Sequence, residues 1–272
     1  MLIIAATPIG NLGDASTRLV EHLSTVEHIA AEDTRSLTKL AGLLGVKLKA
    51  KLYSLHEHNE LERADQIVAI ALETDVLLVS DAGMPTVSDP GFALVRAAVA
   101  AGVEVTVVPG PSAVLAALAV SGLATDRFTF EGFAPRKDAE RKSVFEALAG
   151  ETRTMVFFES PHRITDTLAA AAHVFGADRQ ATVSRELTKK FEHTERGTLA
   201  ELIEWAKTDP KGEMVFVIAG AVKTNKDVSA LVADVLKLEA SGLRMKDAVA
   251  EIAELNAVSK SVLYQLSLDA KK

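Results

Sequence analysis

The chain has no cysteine, which excludes disulfides, thiolate nucleophiles and Cys-ligated zinc or iron–sulfur clusters together. It has no uninterrupted apolar stretch of the roughly 20 residues that a membrane helix needs. Its opening, MLIIAATPIG, carries no basic leader. Neither a membrane span nor a signal peptide is therefore expected, and a cytoplasmic location is. A basic balance is missing as well: 30 Lys and Arg stand against 37 Asp and Glu, for a net charge of −7. A nucleic-acid partner must then be met by a local basic patch and not by the field of the whole molecule, and no DNA partner is expected. Nucleotide-binding fingerprints are incomplete. The loop after the first strand holds only Gly10 and Gly13 where a dinucleotide site needs Gly-x-Gly-x-x-Gly, and no Gly-x4-Gly-Lys-[Ser/Thr] occurs. No His-Glu-x-x-His occurs either; His56-Glu57-His58 lacks a third ligand at motif spacing, so no metal is expected.

What the chain does have is ordinary globular material: 272 residues, 48% hydrophobic and 25% charged, enough for two domains with their own cores. Small and polar residues gather where apolar runs stop, in LIIAATPIGNLGD, DVLLVSDAGMPTVSDPG, VEVTVVPGPSA and TMVFFESPHR. Strand-length runs at 2–6, 26–31, 51–55, 75–80 and 103–108 alternate with helical patterns at 16–23, 36–44, 61–73, 91–101 and 111–121. That alternation predicts a mostly parallel sheet covered on both faces. Beyond Gly122 the texture changes, with strands expected at 127–133, 154–159, 180–185 and 213–219 and helices at 141–148, 164–174 and 199–206. The reading is α/β: an N-terminal α/β domain at 1–120, a second α/β domain with a mixed sheet at 121–222, and a small helical module at 223–272. Three helices are expected in the module, at 228–239, 245–255 and 259–266, after the polar TNKD.

In open α/β sheets ligands bind outside the carboxyl ends of the strands, so the four loops are where chemistry is expected. Asp81 at a strand end suits a ribose or an amine, Gly83 permits close backbone approach, and Asp89 suits the cap of the following helix. Pro111 fits a first helical turn and Ser112 can offer hydroxyl and amide to a ligand. Together these loops make an adenosine-sized site. Glu159-Ser160-Pro161-His162-Arg163 and Ser184 to Lys190 place charges at second-domain strand ends. With Arg35, Arg136, Lys137, Arg141 and Lys142 they are either solvated surface or the local basic face of an RNA site, 136–142 reading as a mobile arm.

Thr-Pro-Ile-Gly-Asn-Leu at 7–12, Ala-Glu-Asp-Thr-Arg at 31–35, the Ser80 to Gly91 loop, Pro109-Gly-Pro-Ser-Ala, Glu-Gly-Phe-x-Pro at 131–135, Glu-Ser-Pro-His-Arg at 159–163, Arg-Glu-Leu-Thr-Lys at 185–189 and Gly-Glu-Met-Val at 212–215 occur in this order. In combination they resemble the ribosomal RNA small subunit methyltransferase I family of the tetrapyrrole methylase superfamily, over nearly the whole chain. The resemblance implies S-adenosylmethionine bound between two α/β domains and a homodimer. It also implies methyl transfer to the ribose 2′-oxygen of a cytidine in the decoding region of 16S RNA, as naked RNA or in the small ribosomal subunit. Carried over by position, Pro8, Asp81, Ala82, Gly83, Met84, Val87, Ser112, Ala113, Phe158 and Met214 are the implied cofactor-lining residues. Met84 stands where the family usually has Thr, and Thr86-Val87 where it has Leu-Ile. The C-terminal helices resemble the family's short module.

Methyl transfer needs alignment and removal of a hydroxyl proton. Glu186 is the expected base with Lys189 or Arg185 as its electrostatic partner, all following a strand end, and Glu159 is the alternate base. Arg35, Arg136, Lys137, His162 and Arg163 are the expected RNA contacts. A small-molecule methyltransferase of tetrapyrrole type and a non-catalytic S-adenosylmethionine-binding protein are the rival readings.

Overall fold

The central strands of each sheet are short and doubly buried, because their alternate residues feed two different cores. In a computed structural model describing residues 1–56, 58–221, 228–256 and 258–271, the chain divides into two compact units, Met1–Ala221 and Val222–Lys272. The larger begins with β1 (Leu2–Ala5), α1 (Thr17–Thr25), β2 (His28–Ala31), α2 (Thr34–Leu43), β3 (Lys51–Ser54), α3 (Glu60–Glu73), β4 (Val76–Val79), α4 (Phe92–Ala100), β5 (Val105–Val108) and α5 (Ala113–Ser121). The five strands form a parallel sheet in the order β3-β2-β4-β1-β5. Side chains alternate across it as the period of two requires. Leu2, Val76 and Leu78 pack with Ile67 and Leu94 on one face, while Ile3, Leu77 and Val79 pack with Leu19, Leu23 and Leu37 on the other.

The unit continues with β6 (Phe128–Phe133), α6 (Asp138–Ala147), β7 (Thr154–Glu159), α7 (Ile164–Phe175), β8 (Gln180–Arg185), β9 (His193–Thr198), α8 (Leu199–Ala206) and β10 (Met214–Ile218). These strands order as β6-β7-β10-β8-β9, with only β6 and β7 parallel. The sheet is mixed, as the sequence predicts. One face buries Phe145, Phe157, Leu168 and Phe216 under helices. The other takes α5, whose Val114, Ala117 and Leu118 meet Val156, Val215 and Val217. Helix α5 thus packs on the second sheet although it follows the first in sequence.

Several local expectations change. Strand β9 is not anticipated from His-Thr-Glu-Arg-Gly-Thr, which has no apolar alternation because it lies at the sheet edge. Residues 136–142 are not an arm: α6 starts at Asp138 and Arg141 is buried, bonded to Asp138 and the Pro135 carbonyl. Lys142 is paired with the same Asp138 at 2.8 Å. Glu57 and the polar TNKD lie outside the described residues. The smaller unit holds α9 (Val232–Ala240), α10 (Met245–Asn256) and α11 (Lys260–Asp269) around Val235, Ala248 and Leu263. Its first helix begins four residues later than the sequence predicts, at Val232.

Candidate active site

A cavity of about 340 Å³ opens where the loops after β1, β2, β4 and β5 face the ends of β6, β7, β8 and β10. Strand β4 lies between β2 and β1 in space but after both in sequence. The loops leaving β1 and β4 therefore run toward different neighbours, and such a switch point leaves a crevice. They are tied together at its base, Thr7 N–H to the Gly83 carbonyl at 2.9 Å and Gly83 N–H to the Thr7 carbonyl at 3.1 Å. Gly83 has φ +83 and Thr86 and Ser88 have φ 76 and 63. A left-handed β-branched residue costs on the order of 1–3 kcal/mol, so this loop holds its shape against a local preference.

The first sheet gives the cavity an acidic wall of Glu32, Asp81 and Asp89. Asp81 N–H donates to Glu32 at 3.3 Å and its Oδ1 accepts from Asp33 N–H at 3.2 Å, joining the loops after β2 and β4. Burial pushes the Asp89 carboxyl up to about 6, with Glu32 and Asp81 adding repulsion against a hydrogen bond from Ser80. Burial also raises Glu32, together with Asp81 and Asp33. Asp89 does not cap α4. The cap position is Gly91, and the carboxylate of Glu60 accepts from Gly91, Ala93 and Leu94 N–H at 3.0, 2.5 and 3.2 Å. That frees Asp89 for the cavity. Among the described residues that line it, none is Lys or Arg, so the wall favours a cation.

The cavity fits the donor implied by the sequence in both size and donor set. Asp81, Ala82, Gly83, Met84 and Val87 line it, as do Ser112, Ala113, Phe158 and Met214. Ser112 stands at the cap position of α5 without spending its hydroxyl on the helix. Pro8 is the exception: it is buried beside the cavity and Ile9 takes the lining position. Lining residues not anticipated as such include Glu32, Phe133, Leu187 and Glu213. For Glu32 the signal was available, a carboxylate directly after a strand.

On the second-sheet side the charges divide into two networks. Glu159 lines the cavity, yet its side chain is fully buried and both oxygens are engaged. One accepts from Arg163 at 2.8 Å and Thr167 at 2.6 Å, the other from Ser160 N–H at 2.7 Å. That leaves it a structural anchor and a poor proton acceptor. Arg163 also donates to the Ala134 carbonyl through the same Nη2, so that end of its guanidinium is held inside the protein while 24% of its side chain stays exposed. The second network is Glu186, Lys189 and Glu213. Lys189 Nζ reaches Glu186 at 3.1 Å and Glu213 at 2.9 Å, and Glu186 accepts from Glu213 N–H at 3.0 Å. The Lys189 hydrogen bond chiefly holds the Glu186 carboxyl below its usual range. Burial pulls the Lys189 ammonium down, but its bonds to Glu213 and Glu186 outweigh that and leave its pKa raised. Glu186 and Lys189 do not line the cavity, whereas Glu213 does. Arg185 ends β8 opposite Met214 and is outside the lining too. Of the expected RNA contacts, Arg35 is 89% exposed though paired with Asp33, and Arg136, Lys137 and His162 are exposed.

A parallel sheet facing a mixed one across an acid-lined cleft is the arrangement of a class of methylases. The family model for Tetrapyrrole (Corrin/Porphyrin) Methylases matches residues 1–203, and the chain belongs to that family, whose methyl donor is S-adenosylmethionine. Its relatives within the family carry a more specific name. The Ribosomal RNA small subunit methyltransferase I of Mycobacterium tuberculosis (strain CDC 1551 / Oshkosh) is 45% identical over 100% of this chain and 95% of its own length. The protein of that name from Haemophilus influenzae is 43% identical over 98% and 96%. Among solved structures, the methyltransferase CobJ superposes with a TM-score of 0.60 at 20% identity, covering 81% of this chain and 94% of that one. Diphthine synthase does so with 0.60 at 16%, covering 80% and 89%. These two likenesses speak to the fold alone.

Proposed function

We propose that the protein methylates 16S ribosomal RNA of the small subunit at the ribose 2′-oxygen of a cytidine in the decoding region, working in the cytoplasm as a homodimer. The observation that carries the reading is the acid-lined cavity at the strand ends, in a chain matched end to end by relatives named for small-subunit RNA methylation. S-adenosylmethionine, when bound, supplies a sulfonium methyl open to in-line attack. Glu32, Asp81 and Asp89 would hold the cationic donor, Ser112 would give it a hydroxyl, and Met84, Phe158 and Met214 would exclude water from it. Met84 offers no hydroxyl where the family usually has threonine, so the acidic residues carry more of the polar recognition.

For the acceptor, orientation supplies much of the acceleration. The remaining requirement is a proton acceptor for the hydroxyl. Glu213 meets it best, since it lines the cavity, is 81% exposed at its side chain and is bonded to Lys189. Glu186, kept ionised by Lys189, would anchor that lysine and so act as a positioning residue, with Arg185 adding positive potential. The experiment is incubation with methyl-labelled S-adenosylmethionine and small subunits from a strain lacking the activity, followed by nucleoside digestion. Label in 2′-O-methylcytidine is expected. No label in RNA while the cofactor still binds would instead favour a small-molecule acceptor.

A further inference from the structure

Strand β6 does not run evenly along β7. Phe130 is opposite Val156 and Phe133 opposite Phe158, so three steps on β6 match two on β7. The extra residue is a β-bulge, and Gly132 at φ +71 absorbs it in a conformation that suits glycine. In a regular strand Phe130 and Phe133 would point to opposite faces. Here both rings lie against Phe158, with centroids 4.8 and 5.4 Å away. The bulge thus turns Phe133 into the cavity wall, where it keeps 60% of its surface exposed. The next residue is fixed: Ala134 is buried, its N–H reaches the Phe158 carbonyl at 3.4 Å, and its carbonyl accepts from Arg163, which Glu159 holds. A bulge on one side and a buried charged clamp on the other are costly ways to display an aromatic ring to water.

We propose that Phe133 is the platform on which the base of the acceptor nucleotide stacks, making it a substrate-binding residue of the RNA site. This rests on the reading of the protein as an RNA methyltransferase. The ring keeps most of its surface open to solvent, on the wall opposite the acidic residues, of which Glu32 and Asp89 are half-buried. Single-stranded nucleotides are recognised by stacking unstacked bases on aromatic side chains. Arg136 and Lys137, exposed cations three and four residues further on, are placed to meet flanking phosphates. Phe158 meets the ring at a T-shaped angle of 64°, and most of the ring stays open to a base.

The test compares wild type with Phe133→Ala and Phe133→Trp in steady-state methylation of small subunits, with S-adenosylmethionine binding measured by calorimetry. Wild-type turnover on RNA comes first, and its absence would remove the underlying reading rather than this one. Phe133→Ala is expected to raise KM for the RNA substrate by about tenfold or more. Cofactor Kd should stay within about twofold of wild type, and Phe133→Trp should restore KM. An unchanged RNA KM in Phe133→Ala would overturn the proposal. So would a cofactor Kd that rises by the same factor, since the ring would then belong to the donor pocket.

Discussion

Asp89 is the residue whose protonation the fold changes most plainly near neutral pH. Its carboxyl titrates at about 6 in the folded chain, against about 3.9 in an unfolded one. Between those values the folded state holds the proton more tightly, so this group's stabilising contribution is full below about pH 4 and lost as pH rises through about 6. Asp89→Asn should accordingly melt close to wild type at low pH and above it past neutrality, read as Tm against pH. Binding runs the other way: wild-type affinity for the cationic cofactor should climb through about pH 6, and the Asn variant should lose that rise. Gly10 tests the second network. A Cβ there would lie 2.4 Å from Lys189 Cγ and 2.9 Å from Thr188 Oγ1, and Thr188 is already at φ 66. Gly10→Ala should cost about 1–3 kcal/mol in urea denaturation and lower kcat by displacing Lys189 from Glu213. Residues on single loops, such as Asp81, Gly83 and Ser112, were legible as candidates because their loop chemistry is local. Asp89 was not, since its place in the cavity beside Glu32 depends on β2 and β4 being neighbours, which no local pattern states.

At the scale of elements, the cap of α4 shows how one helix serves another's loop. Three N–H groups at the start of α4 converge on the Glu60 carboxylate from α3, which offsets the helix dipole as well as the unsatisfied donors. Glu60→Ala should destabilise the protein by about 1–2 kcal/mol in chemical denaturation. It should also weaken cofactor binding, because the strained 80–91 loop ends at that cap. Most elements could be read from the sequence because the apolar runs are short, doubly buried and closed by turn residues. The exceptions share a cause. Strand β9 pairs only with β8 and has no apolar face to declare it, and the first turn of α6 is built from charges that the fold partly buries. The bulge in β6 was invisible for a different reason, since Glu-Gly-Phe reads equally well as an unbroken strand end.

The whole molecule is acidic, at −7, and an RNA approaching it meets repulsion except where cations are exposed. Arg35, Arg136, Lys137 and His162 are those the sequence anticipated and the fold leaves at the surface; Arg141 and Arg163 are turned inward. Lys137 is bonded to Glu140 at 2.8 Å, but an exposed pair of this kind is worth about 1 kcal/mol at most, so it can be exchanged for a phosphate. These four can neutralise few phosphates. Single-stranded contacts release about 0.7 counterion each, so log Kobs against log salt should have a slope of roughly −2 to −3, shallow for an RNA enzyme. Arg136→Gln with Lys137→Gln should flatten that slope by about 1–2 and weaken RNA binding, while calorimetry finds cofactor affinity unchanged. Were the slope to stay the same, the charge that meets RNA would lie elsewhere on the surface, and the stretch after Phe133 would have no part in holding the substrate.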